Sequence, residues 1–220
     1  MSVLSDAAID KISPHLSRVW LEPGCALSCT EEIPVYAYFP ESGIVAVNTP
    51  GTEGRLCCIG LYGFEGCGSL APILGAPTNS TFEVVQMSGY AIRIPTEVLL
   101  QAFATLPEVR SLMLRYVHVF MMQLANTVLA NSARIEQRLA RWLLMYQDRI
   151  RGISLAVTHQ ALSSMLGVRR AGITEAIHVL EGRKMIRSQR GLINILDRPR
   201  LEAMTAGSYG GPEAEYRRLI

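Results

Sequence analysis

Histidine is scarce in this 220-residue chain, and the stretch richest in β-forming residues, Val19 to Pro95, holds none. The four are His15, His118, His159 and His178. A metal enzyme on a β-barrel scaffold gathers histidines and carboxylates at one centre, so a cupin-like active site is excluded. No Ser, His and Asp stand at nucleophile spacing. The glycines from Gly60 to Gly68 lack the lysine and following helix of a phosphate-binding loop. No enzyme, no metal site and no cofactor is expected. Cysteine is absent after Cys67, and the five present (Cys25, Cys29, Cys57, Cys58, Cys67) are odd in number. That count, in a chain of this size without an export signal, argues against a disulfide framework. The most apolar stretch, Leu112 to Leu129, is broken by Arg115, His118, Gln123 and Asn126, so no membrane span is expected. Met1 to Leu16 carries Asp6 and Asp10 and no basic head before an apolar run. A secretory signal is not expected there, and a cytoplasmic location follows.

What is present is an ordinary globular composition, 49% apolar and 18% charged, long enough for one large domain or two modest ones. The net charge of +2 conceals a polarity along the chain. Residues 1–107 hold 4 basic and 10 acidic side chains, whereas residues 108–220 hold 17 and 9. A basic second half points to a polyanionic partner for that half.

Runs rich in Val, Ile, Tyr and Phe (Val35–Phe39, Ile44–Val47, Leu56–Leu61, Thr81–Val85, Tyr90–Ile94) are separated by Gly and Pro turns, including Thr49–Thr52. Many short strands at close spacing predict a sandwich or small barrel. Cys25, Leu27 and Cys29 alternate as one strand face, which predicts their burial. After Pro95, Thr96 starts a short helix to about Ala104, and Pro107 opens a much longer one. Val109, Leu112, Met113, Tyr116, Val119, Phe120 and Leu124 follow helical spacing along it. A helix of this length between two compact parts is expected to pair with a second copy of itself, with Val119 in the apolar seam. Two phases of the stripe fit, so no heptad register is assigned. A further amphipathic helix runs from about Arg134 to Ile150, with Ile135, Leu139, Trp142, Leu143 and Tyr146 as its stripe.

The segment Val157 to Leu196 carries the functional signal. Thr158 precedes a helical run, His159–Leu166; Gly167-Val168 makes a turn; a second helical run covers Arg169–Arg183. Two strand-like runs, Met185–Ser188 and Leu192–Leu196, then flank Gln189-Arg190-Gly191. Helix, turn, helix and hairpin in this order predict a winged helix-turn-helix. Arg169 and Arg170 open the second helix, where such proteins meet base edges in the major groove. Arg183, Lys184, Arg187 and Arg190 cluster at its end and on the wing, suited to phosphates. Residues 134–200 hold 13 basic and 5 acidic side chains.

The run Val157-Thr-His-Gln-Ala-Leu-Ser-Ser-Met-Leu-Gly-Val-Arg-Arg170, with Ala176 to Glu181, resembles the DNA reader of the Crp/Fnr family of transcription regulators. Arg134-Ile-Glu-Gln-Arg-Leu-Ala-Arg-Trp-Leu-Leu144 resembles the helix preceding it. The resemblance implies an α+β chain in three parts: an effector-sensing β jelly-roll over 1–107, resembling cyclic-nucleotide-binding domains, a dimerisation helix over 108–133, and a winged helix-turn-helix over 134–220. It implies a homodimer on a near-palindromic site in double-stranded DNA, in contact with RNA polymerase. It places the principal base reader at Arg170 and phosphate contacts at His159 and Gln160. Arg169, Arg187 and Arg190, with Thr174 and Glu175 as further sources of specificity, complete the expected interface. Ala171 stands where the best-known members have Glu, and Glu175 where they have a second reading Arg, so their half-site does not transfer.

The effector pocket implied by the resemblance falls on Gly66, Cys67, Asn79 and Ser80. Cys67 takes the place of a ribose-binding Glu and Asn79 that of a phosphate-binding Arg. Both charge-assisted anchors are lost, so a cyclic nucleotide is not the expected effector. Arg55 and Arg93 are the alternative cations. Cys25-x-x-x-Cys29 has no companion in the first 24 residues with which to hold an iron–sulfur cluster. Nothing singles out His15 or Cys67 as a haem ligand, and His118 fits an interface or surface position. The effector is left open, constitutive activity included. The competing expectation is a ligand-binding scaffold whose winged helix contacts protein.

Overall fold

The computed structural model describes residues 4–51, 56–150 and 152–220. Arg55 and part of the Thr49–Thr52 turn lie outside them. After a short helix α1 (Asp6–Ile12), seven strands follow: β1 (Ser17–Leu21), β2 (Ala26–Ser28), β3 (Tyr36–Pro40), β4 (Ile44–Pro50), β5 (Leu56–Tyr62), β6 (Phe82–Met87) and β7 (Gly89–Pro95). They form two antiparallel sheets, ordered β1-β7-β3 and β2-β6-β4-β5. Edge strand β1 had no apolar run of its own to announce it, and edge strand β2 was announced only by the alternation of Cys25, Leu27 and Cys29. The burial expected for Cys25, Leu27 and Cys29 is reversed: Cys25 is exposed, the other two are partly covered, and Ser28 is the buried residue of β2. A three-residue edge strand has too little pairing for alternation to decide its face. Thr49 and Pro50 extend β4 rather than turning out of it.

Strand β4 positions the whole molecule. Its run Ile44-Val45-Ala46-Val47 is apolar at every position, because both of its faces are covered. Val45 and Val47 point into the core between the sheets, with Leu21, Ala37, Val85 and Ile94. Ile44 and Ala46 point the other way, into a second core shared with the C-terminal third.

Helices α2 (Thr96–Thr105) and α3 (Pro107–Ala130) follow, with proline at the start of α3 where its missing N–H costs nothing. Most of the predicted stripe of α3 is buried: Val109, Met113, Tyr116, Val119 and Phe120 are each at most 9% exposed, while Leu112 and Leu124 are partly so. They pack on their own chain, however. Val119 therefore lies inside the protomer and not in a seam between copies, which corrects the expectation. The opposite side of α3 is the bare one, with Leu114, Met121 and Val128 at 45%, 62% and 73% exposed. These three recur every seven residues, with Ser111, His118 and Ala125 at the intervening positions, also exposed.

Helix α4 (Ile135–Gln147) is buried from Leu139 through Tyr146 without interruption. Its surroundings explain this: it is the centre of the second core, enclosed by β8 (Ser154–Ala156), α5 (His159–Leu166), α6 (Arg170–Gly182) and α7 (Arg198–Met204). Strands β9 (Ile186–Gln189) and β10 (Leu192–Ile195) pair in register and β8 joins the far side of β10. The last helix, α8 (Gly211–Leu219), returns along α3. There Arg115 Nη1 donates to the Leu219 carbonyl at 2.7 Å, and His118 Nε2 meets Glu215 Oε1 at 3.3 Å.

Candidate nucleic-acid interface

The local sequence dictates the helix-turn-helix. Thr158 caps α5 by accepting from the Ala161 amide at 3.1 Å. Gly167 ends it at φ +63°, a left-handed conformation in which a side chain would be strained. Two bonds lock the turn: the Val168 amide donates to the Ser163 carbonyl at 3.1 Å, and Ser163 Oγ returns one to the Val168 carbonyl at 2.6 Å. Leu162, Met165 and Leu166 of α5 pack with Ile173, Ala176, Ile177 and Leu180 of α6. Burying that face fixes which side of α6 remains outside. Arg169, Arg170, Ala171, Glu175 and His178 are exposed, and Thr174 is partly so.

Arg169 is the residue before α6 and Arg170 its first, so both stand at the helix entrance. His159 Nδ1 lies 3.2 Å from Thr174 Oγ1, which in turn donates to the Arg170 carbonyl at 3.2 Å. These bonds join the expected phosphate contact to the expected reading face. Gln160 is exposed beside it. On the wing, β9 and β10 turn through Arg190 and Gly191, the glycine at φ +74°. Arg187 and Arg190 are exposed there, as are Arg183 and Lys184 at the end of α6.

The basic excess of this segment is smaller at the surface than the sequence count. Arg141 is 2% exposed; its Nε donates to the Ser208 carbonyl at 2.8 Å, and burial lowers its pKa to about 10. Arg149 is also buried, beside Glu65 at 2.7 Å. Arg198 bonds Asp148 and Glu202. Arg138 donates to the Leu166 carbonyl. These four side chains hold the domain together, a role that charge counting has no means of separating from DNA contact.

At the expected effector pocket, Cys67 and Asn79 are buried and Ser80 is exposed. The space beside Gly66 is filled: a Cβ there would come within 2.3 Å of the Tyr116 hydroxyl. Tyr116 donates to the Cys67 carbonyl at 3.1 Å, tying α3 to this loop. A Cβ on Gly68 would meet Glu83 Oε2 at 2.1 Å and the Tyr62 hydroxyl at 2.3 Å. Glu83 accepts from the Ser69 amide at 2.6 Å and from Tyr62 at 3.0 Å. Burial raises the pKa of Glu83 despite these bonds, and pushes up the Cys67 thiol. The pocket residues are thus packed by the chain's own Tyr62, Glu83 and Tyr116, of which sequence reasoning identified none as belonging here. Arg93, the alternative cation, lies on β7 with its guanidinium over the Tyr36 ring and its Nε donating to Ser17.

Among the described residues, no group of three or more His, Cys, Asp or Glu side chains is placed to hold a metal ion. No helix there is long and apolar enough to cross a membrane. All five cysteines are free.

A jelly-roll, a long helix and a basic winged helix-turn-helix follow one another along the chain. Residues 137–204 match the Crp-like helix-turn-helix domain family. FixK2 from Bradyrhizobium japonicum has the same fold at 14% identity, covering 86% of this chain and 96% of its own, with a TM-score of 0.74. The c-di-GMP responsive global regulator CLP of Xanthomonas campestris follows at 15% identity, covering 87% and 99%, with a TM-score of 0.69. A CRP-family transcriptional regulator from Thermus thermophilus matches at 18% identity, covering 86% and 97%, with a TM-score of 0.68. Comparison with curated protein sequences gives no match. Its reader thus matches the Crp-like helix-turn-helix family by sequence, and its whole architecture matches these regulators by fold.

Proposed function

We propose that this protein is a DNA-binding transcription regulator that acts as a homodimer on a near-palindromic site. The observation that carries this reading is the exposed pair Arg169 and Arg170 at the entrance of α6, flanked by the exposed Arg187 and Arg190 of the wing. A guanidinium at a recognition-helix N-terminus matches the O6 and N7 acceptors of guanine, while wing cations reach phosphates. His159, Gln160, Thr174 and Glu175 complete the proposed interface.

The dimer is supported by the bare stripe Leu114, Met121 and Val128. Its seven-residue spacing on an exposed helix face suits a two-stranded seam. The three functional parts, 1–107, 108–133 and 134–220, follow from the same assignment, with contact to RNA polymerase drawn from the family resemblance. The chain acts in the cytoplasm and catalyses no reaction in this reading. A cyclic nucleotide is not its effector, because the buried acid Glu83 and the tyrosines Tyr62 and Tyr116 occupy the space by Gly66 and Gly68. Selection of bound duplexes from a random pool tests the proposal. The expected result is an enriched sequence with two-fold symmetry, its half-sites about one helical turn apart. Failure to enrich any duplex over the input pool would overturn it.

A further inference from the structure

A half-open cavity of about 260 Å³ lies where four parts of the molecule meet: the turn after β5, α3, the end of α4, and α8. Its walls are largely aromatic, with Phe64, Tyr116, Phe120 and Tyr216 around Val119. One end is polar. Glu65 Oε1 lies 2.7 Å from Arg149 Nε, the two side chains 17% and 6% exposed. The approach is misaligned, so the buried Nε–H of Arg149 has no hydrogen-bond acceptor. The other nitrogens of Arg149 are used: Nη1 donates to the Met145 carbonyl at 2.7 Å and Nη2 to the Leu61 carbonyl at 3.3 Å. Glu65 and Arg149 also act on the phenol of Tyr216, whose pKa is raised first by burial and then by the Glu65 charge, with Arg149 opposing. Tyr216 therefore shares this polar end.

Charge limits what would bind. The acids lining the cavity are Glu65, Asp148 and Glu213, and the bases Arg149 and Arg217. Asp148 is already engaged by Arg198 at 2.8 Å and by the Tyr209 hydroxyl at 2.6 Å. The rest balance, two against two. A charged ligand would bring an unpaired charge into a largely apolar space, at a desolvation cost nothing here offsets. An uncharged ring whose hydroxyl both donates to Glu65 and accepts from Arg149 would complete the site, and one with an N–H would donate to Glu65 alone.

We propose that this cavity is an effector site for a small, uncharged aromatic or heteroaromatic molecule bearing one hydroxyl or N–H group. The ring lies among Phe64, Tyr116, Phe120 and Tyr216, and its polar group meets the Glu65–Arg149 pair. The effector role rests on the DNA-binding reading above. Because the walls come from the β-roll, the long helix and the segments on either side of the reader, a ligand here favours this relative placement over others. The site is separate from the pocket residues Gly66, Cys67, Asn79 and Ser80, none of which lines it. Tyr116, whose hydroxyl donates to the Cys67 carbonyl, touches both places, and Glu65 adjoins Gly66 in the chain.

Calorimetry on the DNA-free protein with indole, phenol and benzoate as probes tests the binding site by itself. Indole and phenol are expected to bind with Kd below about 1 mM, and benzoate at least about tenfold more weakly. Val119→Trp, which fills the space, is expected to abolish indole binding. Tyr216→Leu, on the partly exposed terminal helix, is expected to weaken it while circular dichroism stays unchanged. No indole binding by the folded wild type, or undiminished binding by both variants, overturns the site. Binding of benzoate as tight as that of indole overturns the assigned ligand class. A second titration follows DNA affinity on the selected duplex with and without saturating indole. A change of about fivefold or more is expected, and an unchanged affinity overturns the effector role. A chain that binds indole but no DNA sinks the proposed function and leaves the binding site standing.

Discussion

At the scale of single residues, the sharpest expectation concerns two arginines that share charge and exposure but differ in setting. Arg170 opens α6 with its side chain exposed, and its carbonyl accepts from the Thr174 hydroxyl. Arg170→Ala is expected to weaken binding to the selected duplex roughly 5- to 150-fold and to leave a scrambled duplex almost unchanged. Arg190 sits at the wing turn. Its loss should lower affinity for both duplexes and reduce the salt slope by about 0.9. Titrating both variants on both duplexes at several salt concentrations separates the two. Equal weakening of both duplexes by Arg170→Ala would reduce that side chain to a phosphate contact. Glu83 gives a prediction in pH. Its folded pKa is raised above the ordinary 4.5 by burial. The stability it contributes is therefore complete below about 4.5 and is lost as pH rises through the folded value. Urea unfolding should show the wild type losing stability relative to Glu83→Gln as pH rises above 4.5. A constant difference across that range would mean the ionised carboxylate is accommodated without cost.

At the scale of elements, α3 carries two apolar faces with different tasks. Met121 is at the middle of the bare one, 62% exposed within the protomer. Met121→Glu would place two like charges in an apolar seam and should weaken dimerisation at least roughly tenfold. Sedimentation at several concentrations measures this. Val119→Asp, on the inner face, should instead lower the stability of the protomer. If Met121→Glu leaves the dimer intact, the seam is elsewhere. These two faces also mark how far the sequence could be read. Proline at 107 and the spacing of Val109 to Leu124 announced the helix, but a pattern of apolar residues does not say whether the partner is internal or external. Thr158, Gly167 and the hairpin turn at Arg190-Gly191 made the reader legible almost to the residue, because caps and positive-φ turns are local chemistry. The first helix starts and ends where expected, at His159 and Leu166. β8 and α8 were not foreseen. Three residues of strand leave no periodicity, and α8 is mostly polar, held by contacts with α3 that only tertiary structure reveals. The expected effector pocket was marked in the sequence by its losses, at Cys67 and Asn79. It was not legible in its filling, because Tyr62, Glu83 and Tyr116 come from three separate elements.

At the scale of the whole molecule, the second core joins the β-roll to the reader. Ile44, Ala46, Cys58 and Leu61 lie in one buried cluster with Leu143, Leu162, Met165 and Ile177. Cys58 illustrates the enclosure: burial raises its thiol pKa to about 12. Two parts that share a core of this kind are expected to unfold together. Calorimetry should give one transition whose calorimetric and van't Hoff enthalpies agree. Two resolved transitions would show that the shared cluster contributes little. The same arrangement has a consequence for how the protein is made. Synthesis runs from the N-terminus, so β4 leaves the ribosome long before residues 139–201 exist to cover Ile44 and Ala46. Until then the nascent β-roll offers an apolar sheet face to solvent, the kind of surface on which chaperones act and aggregation begins. A chain released early at residue 133 would keep that face permanently. It is expected to bind hydrophobic dyes and to precipitate where the full chain stays in solution.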